Sequence, residues 1–217
     1  MTILCIETST SVCSAAVCKD GSLIKQCINY EGSNHARLLP MYIEELLSFA
    51  REQHLSIDAV ALSEGPGSYT GLRIGASTAK GLCYGLNVPL IPVPTLEVLC
   101  EASGVKQGRL IPMIDARRME VYTMMDGEPK AVVVENEDSL YAGDEEVYYF
   151  GDGAAKCQPV LTKPNWHYIP DIVPEAQYVG ALAESGKRKV ESVDLAYYEP
   201  FYLKEFIAAQ SHVKGLK

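Results

Sequence analysis

Apolar residues fall along this chain in short runs punctuated by Asp-Gly pairs, and twice give way to longer stretches with a helical period. Residues 3–6 (Ile-Leu-Cys-Ile) read as a buried strand ending at Glu7. Residues 8–11 form a hydroxyl-rich turn, and 12–18 a second strand closing on Asp20-Gly21, a pair favoured in two-residue hairpins. A third strand follows over about 23–28. A helix capped by Ser33 or Asn34 then runs to about Gln53, residues 57–63 form a buried strand, and a second helix covers about 70–86. Residues 88–93 make a fifth strand punctuated by prolines, and a third helix lies between Thr95 and Gly104.

From residue 111 the opening pattern recurs. Ile111-Pro112-Met113-Ile114 is a strand ending at Asp115, residues 116–118 are the turn, and 120–125 return as a strand into Asp126-Gly127. A further strand follows at about 130–135. In both copies an acid closes the first strand and an Asp-Gly closes the second, which predicts an internal duplication. The second copy is thinner: one more strand at about 147–151 and one helix near residues 175–187. The glycines at 104 and 108 mark the boundary, giving halves at 1–104 and 105–217. Strands and helices in this order make a mixed α/β layer structure.

Composition narrows the function classes. Nineteen Lys and Arg against 28 Asp and Glu leave a net charge of −9 over 217 residues. Such a chain is poorly suited to gripping a phosphate backbone alone, because that affinity comes from cations displacing counterions. The opening residues lack a basic stretch before the apolar run, unlike a secretory signal. No run approaches the roughly 18 apolar residues of a spanning helix. Seven cysteines, with no Cys-x-x-Cys, argue against a disulfide framework or structural zinc, and a cytoplasmic location is expected.

The densest chemical signal is Ser63-Glu64-Gly65-Pro66-Gly67-Ser68-Tyr69-Thr70-Gly71-Leu72-Arg73-Ile74-Gly75, entered from a strand and left through a helix. Backbone N–H groups at such a helix start suit an anion, here beside Gly65, Gly67, Ser68 and Thr70. Equally, glycines in a tight connection simply relieve steric conflict. No Lys stands where a Walker loop needs one. Glu7, beside Thr8, and Asp115 sit at matching strand ends, where acids hold a metal–nucleotide complex, orient a water or cap a turn. His35 begins a helix, but Leu39 stands at i+4, so a two-histidine metal face is missing and no metal site is expected.

Both long helices carry more apolar or small residues than one core contact needs. In the first, Leu38, Met41, Tyr42, Glu45 and Phe49 lie beside the core stripe of Leu39, Ile43, Leu46 and Ala50. In the second, Leu72, Gly75, Ala76 and Ala79 continue a small-residue pattern to Gly81 and Gly85, which permits close helix approach. These nine residues are the expected partner-binding surface. The basic run Lys187-Arg188-Lys189 reads as a solvated helix end.

Taken together and in order, Ile3-Leu4-Cys5-Ile6-Glu7-Thr8-Ser9-Thr10, His35-Ala36-Arg37-Leu38-Leu39-Pro40, the 63–75 loop, Asn87-Val88-Pro89-Leu90-Ile91 and Ile114-Asp115-Ala116-Arg117 resemble the bacterial TsaB family of tRNA threonylcarbamoyladenosine biosynthesis. Pro200-Phe201-Tyr202-Leu203-Lys204 resembles a Pro-x-Tyr-Leu-Arg segment of that family, with Lys for Arg. The resemblance implies an actin-like, Hsp70-like fold of two related halves, the second truncated. It also implies a non-catalytic subunit that binds the catalytic paralogue TsaD and the ATPase TsaE, with ATP, Mg and a metal held by those partners and none by this chain alone. A homodimer in isolation and only indirect contact with tRNA are further expectations. Against the paralogue's His-x-x-x-His, this chain has His35 and Leu39. Glu7, Thr8, Gly65, Gly67, Ser68, Thr70, Asp115, Gly151 and Gly153 then mark a vestigial nucleotide or anion site. The rival expectation is an independent actin-like nucleotide hydrolase or a peptidase.

Overall fold

The computed structural model describes residues 1–32, 34–185 and 193–204. The first half opens with β1 (Thr2–Glu7), β2 (Cys13–Lys19) and β3 (Ser22–Asn29), an antiparallel meander. The turn between β2 and β3 is Asp20-Gly21 with φ of 50° and 75°, the two positive dihedrals of a tight hairpin turn. Helix α1 (His35–Glu52) crosses to β4 (Ala59–Gly65), and α2 (Tyr69–Leu86) crosses to β5 (Leu90–Pro94). β4 lies parallel to both β1 and β5, so the sheet order is β3-β2-β1-β4-β5. Helix α3 (Thr95–Ser103) ends on Gly104 in the left-handed region and leads into the second half.

There the first strand is interrupted at Met113 into β6 (Arg109–Pro112) and β7 (Ile114–Asp115). β8 (Glu120–Met125) and β9 (Glu128–Val133) meander from β7, again through an Asp-Gly turn, Asp126 and Gly127 at φ 54° and 82°. β10 (Val147–Phe150) lies parallel to β6 and to β11 (Trp166–Ile169). Joining the two pieces of the first strand gives β9-β8-β7/β6-β10-β11, with the same order and the same parallel and antiparallel pairings as the first half. The duplication read from the acids and the Asp-Gly pairs is thus a duplication of topology, the actin-like one.

The truncation has a definite form. Where the first half inserts α1 and α2, the second half has loops with single 3-10 turns at Glu137–Ser139 and Ala155–Cys157. β11, which the sequence reading omitted, completes the repeat. It is four residues long between Pro164 and Pro170, too short to show a period. Helix α4 (Ala176–Glu184) falls within the expected 175–187 stretch, and the basic run at 187–189 lies outside the described residues.

One core lies between the first sheet and α1 with α2, where Leu39, Ile43 and Leu46 meet Leu4, Ile6, Leu62 and Leu90. Each fully buried leucine contributes about 2 kcal/mol. The opposite face is covered by α4 and α3 through Ala176, Val179, Ala183 and Val98. α3 also packs Leu96 and Leu99 on Ile114 and Phe150, joining the halves. Loops rather than helices close the remaining core, around Trp166, Leu161 and Cys157. The cysteines are free thiols, and burial pushes Cys13 and Cys83 up to about 11 and Cys100 to about 12, as suits apolar packing.

Candidate functional site: an interlobe cleft and a helical ridge

The duplication brings the candidate acids to equivalent places. Glu7 ends β1 and accepts hydrogen bonds at Oε1 from the Ser9 N–H (2.6 Å) and the Ser9 hydroxyl (2.5 Å). Asp115 ends β7 and accepts at Oδ1 from the Arg117 N–H two residues on (2.9 Å). Each acid therefore caps the turn after the first strand of its half. The loop after β10 adds Asp152, whose Oδ1 accepts from the Asp115 N–H at 2.9 Å. Lys156 pairs with Asp115 and donates to the Glu120 carbonyl at 2.7 Å.

Electrostatics separates the acids. Glu7 is fully buried, and its Oε2 has no hydrogen bond. Burial raises its carboxyl above the ordinary range against the pull of the Ser63 and Ser9 hydroxyls and the Ser9 N–H, and the charge of Asp152 adds to the rise. Asp152 keeps solvent contact, yet the protein crowding round it also raises its carboxyl, with Asp115 contributing. The charge of Asp115 thus disfavours that of Asp152, and the charge of Asp152 that of Glu7.

The glycine loops explain themselves by close approach. A Cβ on Gly67 would stand 2.3 Å from the Ser9 carbonyl oxygen, one on Gly71 2.0 Å from that of Thr8, and one on Gly75 2.4 Å from the Thr8 hydroxyl. The Ser68 N–H donates to the Ser9 carbonyl (2.6 Å), and the Thr8 hydroxyl to the Gly71 carbonyl (2.9 Å). Gly65, at φ 115°, has the Phe201 carbonyl on its open side. The equivalent loop repeats this: a Cβ on Gly151 (φ 105°) would meet the Met113 carbonyl at 2.2 Å, and one on Gly153 the backbone of Ile114. The Cβ sides of these glycines are thus taken up by the chain's own backbone, as a tight connection needs, while Ser68 and Thr70 stay exposed at the start of α2. Among the described residues no group of three His, Cys, Asp or Glu side chains is placed to hold a metal ion. His35 is accounted for differently: its Nε2 lies 3.0 Å from the Thr10 carbonyl and 3.1 Å from that of Val12, so it pins α1 to the β1–β2 turn as a donor.

The helical surface needs a correction. Leu72, Gly75, Ala76 and Ala79 do not face outward; they are buried against the chain's own sheet and the Thr8 turn. Small residues there admit β1, not a partner. On α1, Leu38 and Tyr42 are half-buried beside the core, and Phe49 is half-buried with Lys25 over its ring, the lysine pairing with Glu45 at 2.8 Å. Met41 is 59% exposed.

The outward stripe of α2 is instead Arg73, Ser77, Gly81, Tyr84 and Gly85. Tyr84 is 87% exposed, and a Cβ on Gly81 or Gly85 would meet nothing within 4 Å. Beside this ridge, α1 and α2 enclose a groove of about 610 Å³ walled by Pro40, Ile43, Leu47, Leu55, Ile57 and Leu86. The sequence signal for this stripe was present: Ser77, Gly81 and Tyr84 share a face at helical spacing.

Residues 29–152 match the family described as "TsaD: tRNA N6-adenosine threonylcarbamoyltransferase". The chain is 28% identical to the tRNA threonylcarbamoyladenosine biosynthesis protein TsaB of Escherichia coli, over 96% of each chain. It is 30% identical to that of Bacillus subtilis, over 88% of this chain and 85% of the other. Among solved structures it superposes on YeaZ from Pseudomonas aeruginosa with a TM-score of 0.72 and 27% identity, covering 93% of this chain and 99% of that one. With identity sustained along both halves of a duplicated fold, and with that fold shared in space, the chain belongs to the TsaB family.

Proposed function

We propose that this chain is a non-catalytic subunit of a tRNA threonylcarbamoyladenosine-forming complex, which docks the catalytic paralogue TsaD on the α2 ridge and the adjoining α1–α2 groove. Membership of the TsaB family ties it to that biosynthesis. The observation that carries the subunit reading is the contrast between its two surfaces. The interlobe cleft has its carboxylates bound to their own turns and its loop glycines packed on backbone. The ridge presents an exposed tyrosine, two open glycines and an apolar groove, as helix-on-helix packing requires. A paralogue built on the same duplicated topology has equivalent helices to offer. In its absence a second copy of this chain takes the same face, giving the homodimer. TsaE joins the assembly as a further partner. Among the described residues no helix is long and apolar enough to cross a membrane.

Tyr84→Glu and Met41→Glu place a charge on exposed positions and are expected to leave the monomer folded, with unchanged thermal unfolding. Each is expected to weaken the complex with TsaD at least tenfold, because central aromatic anchors carry interface energy. Titration calorimetry with purified TsaD checks this. Undiminished affinity in both folded variants rejects the ridge as the docking face.

A further inference from the structure

The turn from β7 to β8 is bent through two adjacent arginines in the left-handed region, Arg117 at φ 73° and Arg118 at φ 50°. Among the described residues seven positions other than glycine take a positive φ. The other five are Asp, Asn or His, the types that tolerate it best. Glycine would hold the same turn without strain. The topology does not demand this backbone either, because the equivalent turn of the first half, residues 8–12, closes with no positive φ. Two long cationic side chains therefore stand where the local conformation disfavours them, and such an outlier points to a use for the side chains.

Both arginines are exposed, and neither guanidinium has a hydrogen bond or ion pair among the described residues. The acids that flank the turn are already matched, Asp115 by Lys156 and Glu120 by Lys204. Asp152 is held on the Asp115 N–H at 2.9 Å. Two guanidiniums thus remain without a carboxylate of their own, at the one place in this acidic sequence where two arginines adjoin.

The ligand chemistry follows from exposure. A guanidinium in water gains little from a single ion. A polyanion is different, because each phosphate that a cation neutralises releases condensed counterions. Arginine also grips a phosphate through two parallel N–H groups, which lysine cannot do. A protein partner would want an apolar centre beside the charges. Here Ala116 and Met119 are half-buried, Met119 on the second-half core, and one exposed apolar side chain, Val133, stands across from Glu120 on β9.

We propose that the Arg117–Arg118 turn is a backbone contact for RNA, engaging two phosphates of the tRNA that the family modifies. It gives the chain a direct contact where the sequence led to the expectation of an indirect one. The net charge of −9 keeps this contact weak in the chain alone, so it adds to the grip of an assembled complex. It rests on the family's tie to tRNA and not on the docking ridge, and either reading can fail without the other.

The test is titration of unmodified tRNA, by fluorescence anisotropy, with the full chain assembled with TsaD and with the full chain alone at about 50 mM salt. The double variant Arg117→Gly/Arg118→Gly removes both guanidiniums and suits the left-handed backbone. Its thermal midpoint is expected at or above that of wild type, and its affinity for TsaD unchanged. Its affinity for tRNA is expected to fall at least fivefold, with a log–log salt slope smaller by about 1.4–1.8, the share of two phosphates. Arg117→Lys/Arg118→Lys is expected to keep the slope and lose affinity several-fold, which a merely structural pair would not do. Inorganic phosphate at constant ionic strength is expected not to displace the tRNA. Unchanged tRNA affinity and slope in the glycine variant, in whichever preparation binds tRNA, overturns the proposal, as does an absence of tRNA binding in both. Displacement by millimolar phosphate (roughly the affinity of a small-anion site) overturns RNA as the source. Loss of TsaD affinity with tRNA binding intact marks a protein contact and overturns it too. Failure of TsaD to assemble with wild type counts against the docking ridge alone, and the chain-alone titration then decides the arginine turn.

Discussion

Replacing Gly71 with alanine is expected to destabilise the protein by about 3 kcal/mol or more, whereas the same change at Gly81, ten residues along the same helix, is expected to stabilise it by about 0.5–1 kcal/mol. Both glycines carry the same intrinsic helical penalty, so the opposite signs isolate what each glycine is for. At Gly71 a methyl group would lie 2.0 Å from the Thr8 carbonyl oxygen, a backbone atom held in place by β1 and by the hydrogen bond from Thr8 Oγ1 back to the Gly71 carbonyl. That oxygen cannot yield without moving the turn that carries Glu7 and Ser9. At Gly81 a methyl group would meet nothing within 4 Å, so only the entropy of the unfolded chain changes. Urea denaturation of the two variants reads both effects. Equal shifts would mean that the 65–75 segment does not approach the β1–β2 turn as described.

The second large effect concerns Glu7. Glu7→Ala removes the acceptor of two buried donors, the Ser9 N–H and hydroxyl, and is expected to cost at least about 2 kcal/mol. Glu7→Gln keeps an acceptor for both donors and removes only the titration. Because burial raises the native carboxyl above its unfolded value near 4.5, the folded protein holds a proton there that the unfolded chain has already released. Stability from this group is complete below pH 4.5 and is lost as pH climbs through the raised native pKa. Wild type is therefore expected to lose stability relative to Glu7→Gln over that window, and the two curves to run parallel above it. The comparison cancels the opposite slopes of Asp20, Glu45 and Glu137, whose carboxyls are lowered by their partners. A difference that grows toward acid pH instead would mean that the Glu7 carboxylate is favoured by its site.

Much of this architecture is legible in the residues. β1, β2 and β4 are buried on both faces and so read as largely apolar runs, and the Asp-Gly pairs at 20–21 and 126–127 announce hairpins that the dihedrals bear out. The matching acids Glu7 and Asp115 reveal the duplication because each closes the same turn in its own half. β11 escaped because Trp166 to Ile169 is too short to show alternation; the duplicated topology itself demands a fifth strand there. The inward face of α2 was misread for a different reason. A run of Gly and Ala fits close approach by any backbone, and sequence spacing does not say whether β1 or a partner supplies it. Thr8, sixty-odd residues away, decides it by sitting against Gly71 and Gly75. Asp152 and Lys156 became visible only once the loop after β10 folded onto Asp115.

In the proposed function the ridge, rather than the cleft, is the working surface of the protein. The direct measurement is the threonylcarbamoyladenosine content of tRNA from cells depleted of this protein and complemented with folded variants. Depletion is expected to remove the modification, and Asp115→Asn, in the cleft, is expected to restore it to the wild-type level. Tyr84→Glu, on the ridge, is expected to fail. Full restoration by Tyr84→Glu together with failure of folded Asp115→Asn would contradict the account and place the chemistry in the cleft.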